Sequence, residues 1–293
     1  MNKTRFQIAK PDIVRFYDEL PTKIHRQSDI AGHLAKQRAF WRLSLDTTNR
    51  KFIKLLIETG RLAEVDFHFP PPYKRELRYV WGNVSIYEVM QTIKPGCYFS
   101  HYTAAKFHGL TEQLPKTTYL TVEQFNSSIS NGEMNQASID RAFNGKPRTS
   151  TNIAETKDFR ICVVAGRNTD KLGVIEQMVL PDAGPLRLTN LERTLIDITV
   201  RPIYAGGVFE VAKAFELAKD KLSVNTLTAM LKKLKYTYPY HQAIGFYLER
   251  AGYKSSLIDL LRKFPKDFDF YLTHKMGATD YVKAWRLHVP KGF

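Results

Sequence analysis

The sequence predicts an α+β protein in two parts. A small N-terminal unit of three helices is closed by a two-stranded ribbon, and a larger mixed α/β part comes after it that is mostly helical after residue 188. Three observations carry this. Apolar residues recur at helical spacing over the first sixty positions, two extended runs then flank a triple proline, and beyond residue 188 one capped amphipathic segment succeeds another. A length of 293 residues fits two domains, and the patterning divides them at residues 1–82 and 83–293.

Taken in order, Pro11 and Asp12 open a helical pattern through Ile13, Val14, Phe16, Tyr17 and Leu20 that Pro21 closes. Ser28 is placed to cap a second helix, with Ile30, Ala31, Leu34 and Ala35 on one face. A third helix is expected over Thr47–Thr59, ended by Gly60. The extended runs Arg61 to Phe69 and Leu77 to Trp81 enclose Pro70-Pro71-Pro72-Tyr73-Lys74-Arg75; prolines cannot donate to a ladder, so they belong in the loop. Three helices followed by a two-stranded ribbon is the order of a winged helix-turn-helix.

Downstream, Ser85–Thr92 and Thr103–Phe107 read as helices, and Thr117–Val122, Phe159–Val164 and Val174–Leu180 as strands. The stretch 126–158 is rich in Ser, Thr, Asn and Lys and is expected to form exposed hairpins or a mobile loop. Helices are expected over Leu191–Thr199, Val208–Lys219, Val224–Lys235, His241–Ala251 and Leu257–Phe264, with short strands at Asp269–Thr273 and Ala284–Val289.

The formal charge of +15 favours a polyanionic partner, and its placement is bipolar. Residues 1–82 carry 16 Lys and Arg against 9 Asp and Glu, residues 83–180 carry 10 against 9, and residues 181–293 carry 18 against 11. In the third helix, Arg50, Lys54, Thr47, Glu58 and Lys51 fall within about 100° of arc, opposite Phe52, Ile53, Leu55 and Leu56. A charged helical face is more often merely solvated, but here it stands in the second helix of a helix-turn-helix order, whose first turns meet base edges in the major groove. Thr47, Thr48, Arg50, Lys51 and Lys54 are therefore the expected DNA contacts. Arg50 suits a guanine edge and the lysines suit phosphates, while Lys74 and Arg75 on the wing reach the flanking backbone.

Two later segments carry a resemblance. Gly96-Cys97-Tyr98-Phe99-Ser100-His101-Tyr102-Thr103-Ala104-Ala105-Lys106-Phe107-His108-Gly109-Leu110-Thr111-Glu112-Gln113 is one. The other is Leu188-Thr189-Asn190-Leu191-Glu192-Arg193-Thr194-Leu195-Ile196-Asp197 with Arg201-Pro202, Ala205-Gly206-Gly207 and Leu248-Glu249-Arg250-Ala251-Gly252-Tyr253. They resemble the AbiEi-type antitoxins and related transcriptional regulators. That resemblance implies an antitoxin of a type IV toxin–antitoxin system used in phage abortive infection. It also implies repression of its own operon through inverted repeats in the operator DNA, and a nucleotidyltransferase toxin as functional partner. The long Lys36–Leu45 connection and the triple-proline wing depart from the usual pattern.

Read from the residues alone, Arg193 and Asp197 form an i,i+4 pair and Gly206-Gly207 a tight turn. Lys232, Lys233 and Lys235 form a possible C-terminal basic surface. Together with the aromatic run Tyr236-Thr237-Tyr238-Pro239-Tyr240 they motivate an alternative, an RNA- or tRNA-associated regulator or enzyme, although core packing is the preferred reading of the tyrosines. No catalytic residue, cofactor or metal is expected. Pro181-Asp182 is not followed by Glu-x-Lys, no phosphate-binding glycine loop occurs, and the eight histidines lack ligand spacing. Cys97 and Cys162 read as buried thiols. No apolar run of membrane-spanning length occurs and Met1-Asn2-Lys3-Thr4-Arg5-Phe6 leads into no signal-peptide core, so the expected location is cytoplasmic, without a membrane partner.

Overall fold

A computed structural model describes residues 4–124, 134–156, 158–177 and 184–293. The architecture is mixed α+β. Its N-terminal unit runs α1 (Arg5–Glu19), β1 (Ile24–His25), α2 (Gln27–Gln37), α3 (Asn49–Glu58), β2 (Leu62–Phe67) and β3 (Glu76–Trp81). The strands form an antiparallel sheet in the order β1-β3-β2. Ala9, Ile13 and Tyr17, four residues apart on α1, meet Ile30, Leu34, Phe52 and Leu56 in one core, where Trp81 stacks on Tyr17 at 4.8 Å.

Several boundaries differ from the sequence reading. Helix α1 begins six residues before Pro11, because Thr4 and Gln7 close a reciprocal capping box that starts the helix earlier, and Pro11 then lies on its exposed side. Ser28 lies inside α2, where Asp29 accepts the backbone N–H of Arg26 at 2.7 Å and takes over the capping role. Strand β1 has only two residues, too few for period-two alternation to reveal it.

Next come α4 (Ile86–Met90), β4 (Tyr98–Phe99), α5 (His101–Phe107), β5 (Thr118–Gln124), α6 (Gln136–Asn144), β6 (Ile153–Glu155), β7 (Arg160–Arg167), β8 (Val174–Gln177) and β9 (Leu186–Thr189). The six strands make one mixed sheet, β6-β7-β5-β4-β9-β8, with β5 parallel to β7 and β4 parallel to β9. Alternation sorts its faces. Phe99, Leu120, Ile161 and Val163 join one core with Val89, Met90 and Ile93, whereas Cys162 and Val164 face Tyr204 on the other side. The first of these cores also receives Phe67, Phe69 and Val80 from the N-terminal hairpin. Arg78, buried on β3, donates to Thr92 Oγ1 and to the carbonyls of Thr92 and Ile93, so the hairpin is fastened to the turn after α4.

The expectation of hairpins or loose loop across 126–158 is corrected by α6. Asn135 caps this helix, and Ile139 and Phe143, four apart, enter the largest core; two apolar positions among polar neighbours were too weak a signal to read. Residues 126–133 and 157 of that stretch, and Pro181-Asp182, lie outside the described residues.

The last part comprises α7 (Leu191–Val200), α8 (Val208–Leu217), α9 (Val224–Leu234), α10 (Tyr240–Arg250) and α11 (Ser255–Arg262), close to the predicted helices. It closes on a small sheet, β10-β12-β11, of β10 (Phe270–Tyr271), β11 (Thr279–Val282) and β12 (Leu287–Pro290), where two strands, over Asp269–Thr273 and Ala284–Val289, were expected and β11 was not. The 3-10 turn Lys283–Trp285 breaks that run to send Trp285 into the core. Gly245 on α10 admits the Trp285 ring, since a Cβ there would stand 2.2 Å from two ring carbons. Among the described residues, no helix is long and apolar enough to cross a membrane.

Candidate nucleic-acid interface

Helix α3 starts at Asn49, because the Thr48 side chain accepts the backbone N–H of Lys51 at 3.3 Å and so serves as N-cap. Phe52, Ile53 and Leu56 are buried against the N-terminal core, with Trp41 stacked on Phe52 at 5.6 Å. Holding that face down turns the other outward. Arg50, Lys51 and Lys54 are all exposed over the first two turns, and Thr48 is exposed beside them. Among the described residues Arg50 and Lys51 form no ion pair, and Lys54 reaches only Glu58, at 4.0 Å and with both side chains largely in solvent.

Thr47 departs from the expectation. It lies before the helix, is 8% exposed, and its carbonyl accepts from Arg38 Nη2 at 3.0 Å. Arg38 also donates to the Ser44 carbonyl, and Trp41 and Leu43 are buried, so the long connection between α2 and α3 is a packed loop that draws Thr47 inward. The helical wheel placed Thr47 outside because it assumed that the helix began there.

The residues of the loop between β2 and β3 separate as well. Lys74 is exposed and unpaired among the described residues. Arg75 instead closes a two-bonded ion pair with Asp66, Nε to Oδ1 and Nη2 to Oδ2 both at 2.7 Å, which holds the Asp66 carboxyl below its usual range. Sequence reasoning missed Asp66, although in an antiparallel hairpin the two runs bring it near Arg75. The loop is anchored elsewhere too: Phe69 is buried in the core of the large sheet, and Tyr73 Oη lies 3.4 Å from Thr151 Oγ1.

Lys232, Lys233 and Lys235 are exposed at the carboxyl end of α9, where positive charge suits the helix dipole. Lys232 lies over the Phe264 ring at 5.4 Å, and the Lys235 carbonyl accepts from Arg167. The tyrosines beside them pack inward. Tyr240 is buried, Tyr236 and Tyr238 are half-buried, and both contact Tyr240 edge-on, so the rings are occupied by one another and by Phe270. Cys97 and Cys162 are free and buried, as expected. Among the described residues no cluster of three metal-ligating side chains occurs.

With this geometry in view, the chain shares its fold with the RV2827C protein from Mycobacterium tuberculosis, known from a crystal structure. The TM-score is 0.63 at 13% identity, over 96% of this chain and 91% of that one. No protein-family model matches the sequence. No curated protein matches it either.

Proposed function

We propose that residues 1–82 are a winged-helix unit that binds DNA through α3, and that the whole chain is an autoregulating antitoxin of a type IV toxin–antitoxin system. The observation that carries the DNA-binding reading is the outward face of α3: Arg50, Lys51 and Lys54 stand exposed in its first two turns with, among the described residues, no carboxylate closer than 4.0 Å. The order α1-β1-α2-α3-β2-β3 supports it, since this is how a winged helix presents its second motif helix, as does the local excess of 16 basic over 9 acidic residues. In this reading Arg50 reads a base edge, Lys51 and Lys54 hold phosphates, Thr48 contacts the backbone beside them, and Lys74 reaches the flank.

The antitoxin half rests on the resemblance of the segments around Ser100-His101 and Glu192-Arg193. It predicts that this chain relieves growth arrest by a nucleotidyltransferase toxin encoded beside it. A mobility-shift assay on the DNA upstream of its own gene tests the first half: wild type shifts an inverted repeat, and Arg50→Ala with Lys54→Ala does not. Co-expression with the neighbouring toxin tests the second, and persistent arrest contradicts it.

A further inference from the structure

We propose that the cavity between β5, β7 and α7 binds a phosphate group, carried either by inorganic phosphate or by the end of a mononucleotide. This site shares no residue with α3 and does not depend on the DNA-binding reading.

The cavity measures about 120 Å³ and is lined by residues from five places in the chain, Thr121 of β5 among them. Arg193, Asp197 and Arg201 come from successive turns of α7 and its C-cap, Arg167 from the end of β7, Tyr236 from the segment after α9, and His101 from the start of α5. The two segments that carry the family resemblance thus meet here, one supplying His101 and the other the α7 face.

Three guanidinium groups face one carboxylate. Arg193 Nε donates to Asp197 Oδ1 at 2.8 Å, and its Nη1 donates to the Leu172 carbonyl at 2.6 Å and toward Thr169 at 3.3 Å. Its Nη2 has no partner among the described residues. Burial opposes the charge on Arg193, but Asp197 with Tyr236 and Tyr98 outweighs that and holds the guanidinium protonated. Arg167 donates to the carbonyls of Leu234 and Lys235, and Arg201 lies 5.8 Å from the Tyr204 ring; neither has a carboxylate partner among the described residues. A buried ion pair accounts for Arg193 and Asp197. Half-buried Arg167 and exposed Arg201 add two further cations at the rim of the cavity without a carboxylate of their own, and planar guanidinium forks match the oxygens of a phosphate.

The backbone supplies a second observation. His101 has φ 52°, a left-handed conformation uncommon outside glycine, yet it is buried and lines the cavity. Its Nδ1 lies 2.8 Å from Ser100 Oγ, which lies 2.7 Å from Thr121 Oγ1, so the imidazole is held in place by a short polar chain. On the sheet side Gly166 keeps the wall thin, since a Cβ there would stand 2.8 Å from Thr121 Cγ2. The volume exceeds the roughly 10–15 Å³ that one water needs. It falls short of the roughly 300 Å³ at which pockets begin to enclose a drug-sized ligand, so a tetrahedral oxyanion fits inside and any nucleoside stays outside.

The test is calorimetric titration of the full chain with inorganic phosphate, with adenosine 5′-monophosphate and with adenosine. One saturable site for phosphate is expected, none for adenosine, and weakening by about tenfold or more in Arg201→Gln and in Arg167→Gln. Equal affinity for phosphate and the monophosphate identifies the free ion as ligand; clearly tighter binding of the monophosphate identifies a nucleotide end. Thermal melts of both variants within a few degrees of wild type establish that they are folded, and Arg50→Ala with Lys54→Ala retains wild-type phosphate binding. No saturation up to about 10 mM, or undiminished binding by folded Arg201→Gln, overturns the proposal.

Discussion

Helices α3 and α7 each carry a cation four residues before a carboxylate, and the protein treats the two pairs in opposite ways. Lys54 and Glu58 stand 4.0 Å apart with 79% and 56% of their side chains exposed, whereas Arg193 and Asp197 bond at 2.8 Å with 7% and 9% exposed. Spacing is common to both, so spacing did not decide their roles. Their surroundings did. The exposed pair is screened by water and leaves its lysine available to another anion, while the buried one has lost its hydration and must be completed by protein groups or by a ligand.

The largest expected effect comes from breaking the buried pair. Asp197→Ala leaves Arg193 desolvated without its partner and is expected to lower unfolding free energy by about 3–5 kcal/mol in urea titrations. A loss below about 1 kcal/mol would make the two pairs equivalent and end the contrast.

Burial also governs the histidines. The His25 imidazole is pushed down to about 4, chiefly by burial and then by the neighbouring His33, and burial takes His101 and His241 to about 4 as well. An unfolded histidine titrates near 6.5. Between those values the unfolded chain binds the proton and the native chain does not, so stability is full above about pH 6.5 and falls as pH drops toward 4. His25→Phe should remove about 2–3 kcal/mol of that acid-dependent loss, read from denaturation midpoints at a series of pH values. An unaltered pH dependence would mean that His25 is not the neutral, buried group described.

Smaller effects are expected on the exposed helix. Arg50→Ala should cost about 1–3 kcal/mol of DNA affinity and relax preference at one base pair, with unfolding free energy unchanged. Glu58→Ala should change stability by no more than about 0.5 kcal/mol, and by freeing Lys54 it should leave DNA affinity equal or slightly higher. Weaker binding by Glu58→Ala would show that the carboxylate, rather than the lysines, faces the ligand.

The same contrast explains what the sequence disclosed. Long amphipathic helices such as α8, α9 and α10 were legible because a sustained 3.6-residue period needs no tertiary information. Short elements were not. Strand β1 and helix α6 exist because neighbours distant in sequence cover them, and their own patterns span too few residues. For the candidate interface, the period placed Arg50, Lys51 and Lys54 on one outward face, as observed. Thr47 and Arg75 escaped it because their surroundings are set by Arg38 in the preceding loop and by Asp66 on the facing strand. Spacing also put Arg193 and Asp197 on one face of α7, but that Arg201, His101 and Arg167 converge beside them only the fold could disclose.

The most direct test of α3 as the DNA-contacting helix is the salt dependence of operator binding for wild type and for Lys51→Ala with Lys54→Ala. If both lysines neutralise phosphates, the slope of log affinity against log salt becomes shallower by about 2 in the double variant, while Arg75→Ala, whose cation is held by Asp66, leaves it near the wild-type value. A slope that does not change on removal of both lysines would contradict the assignment.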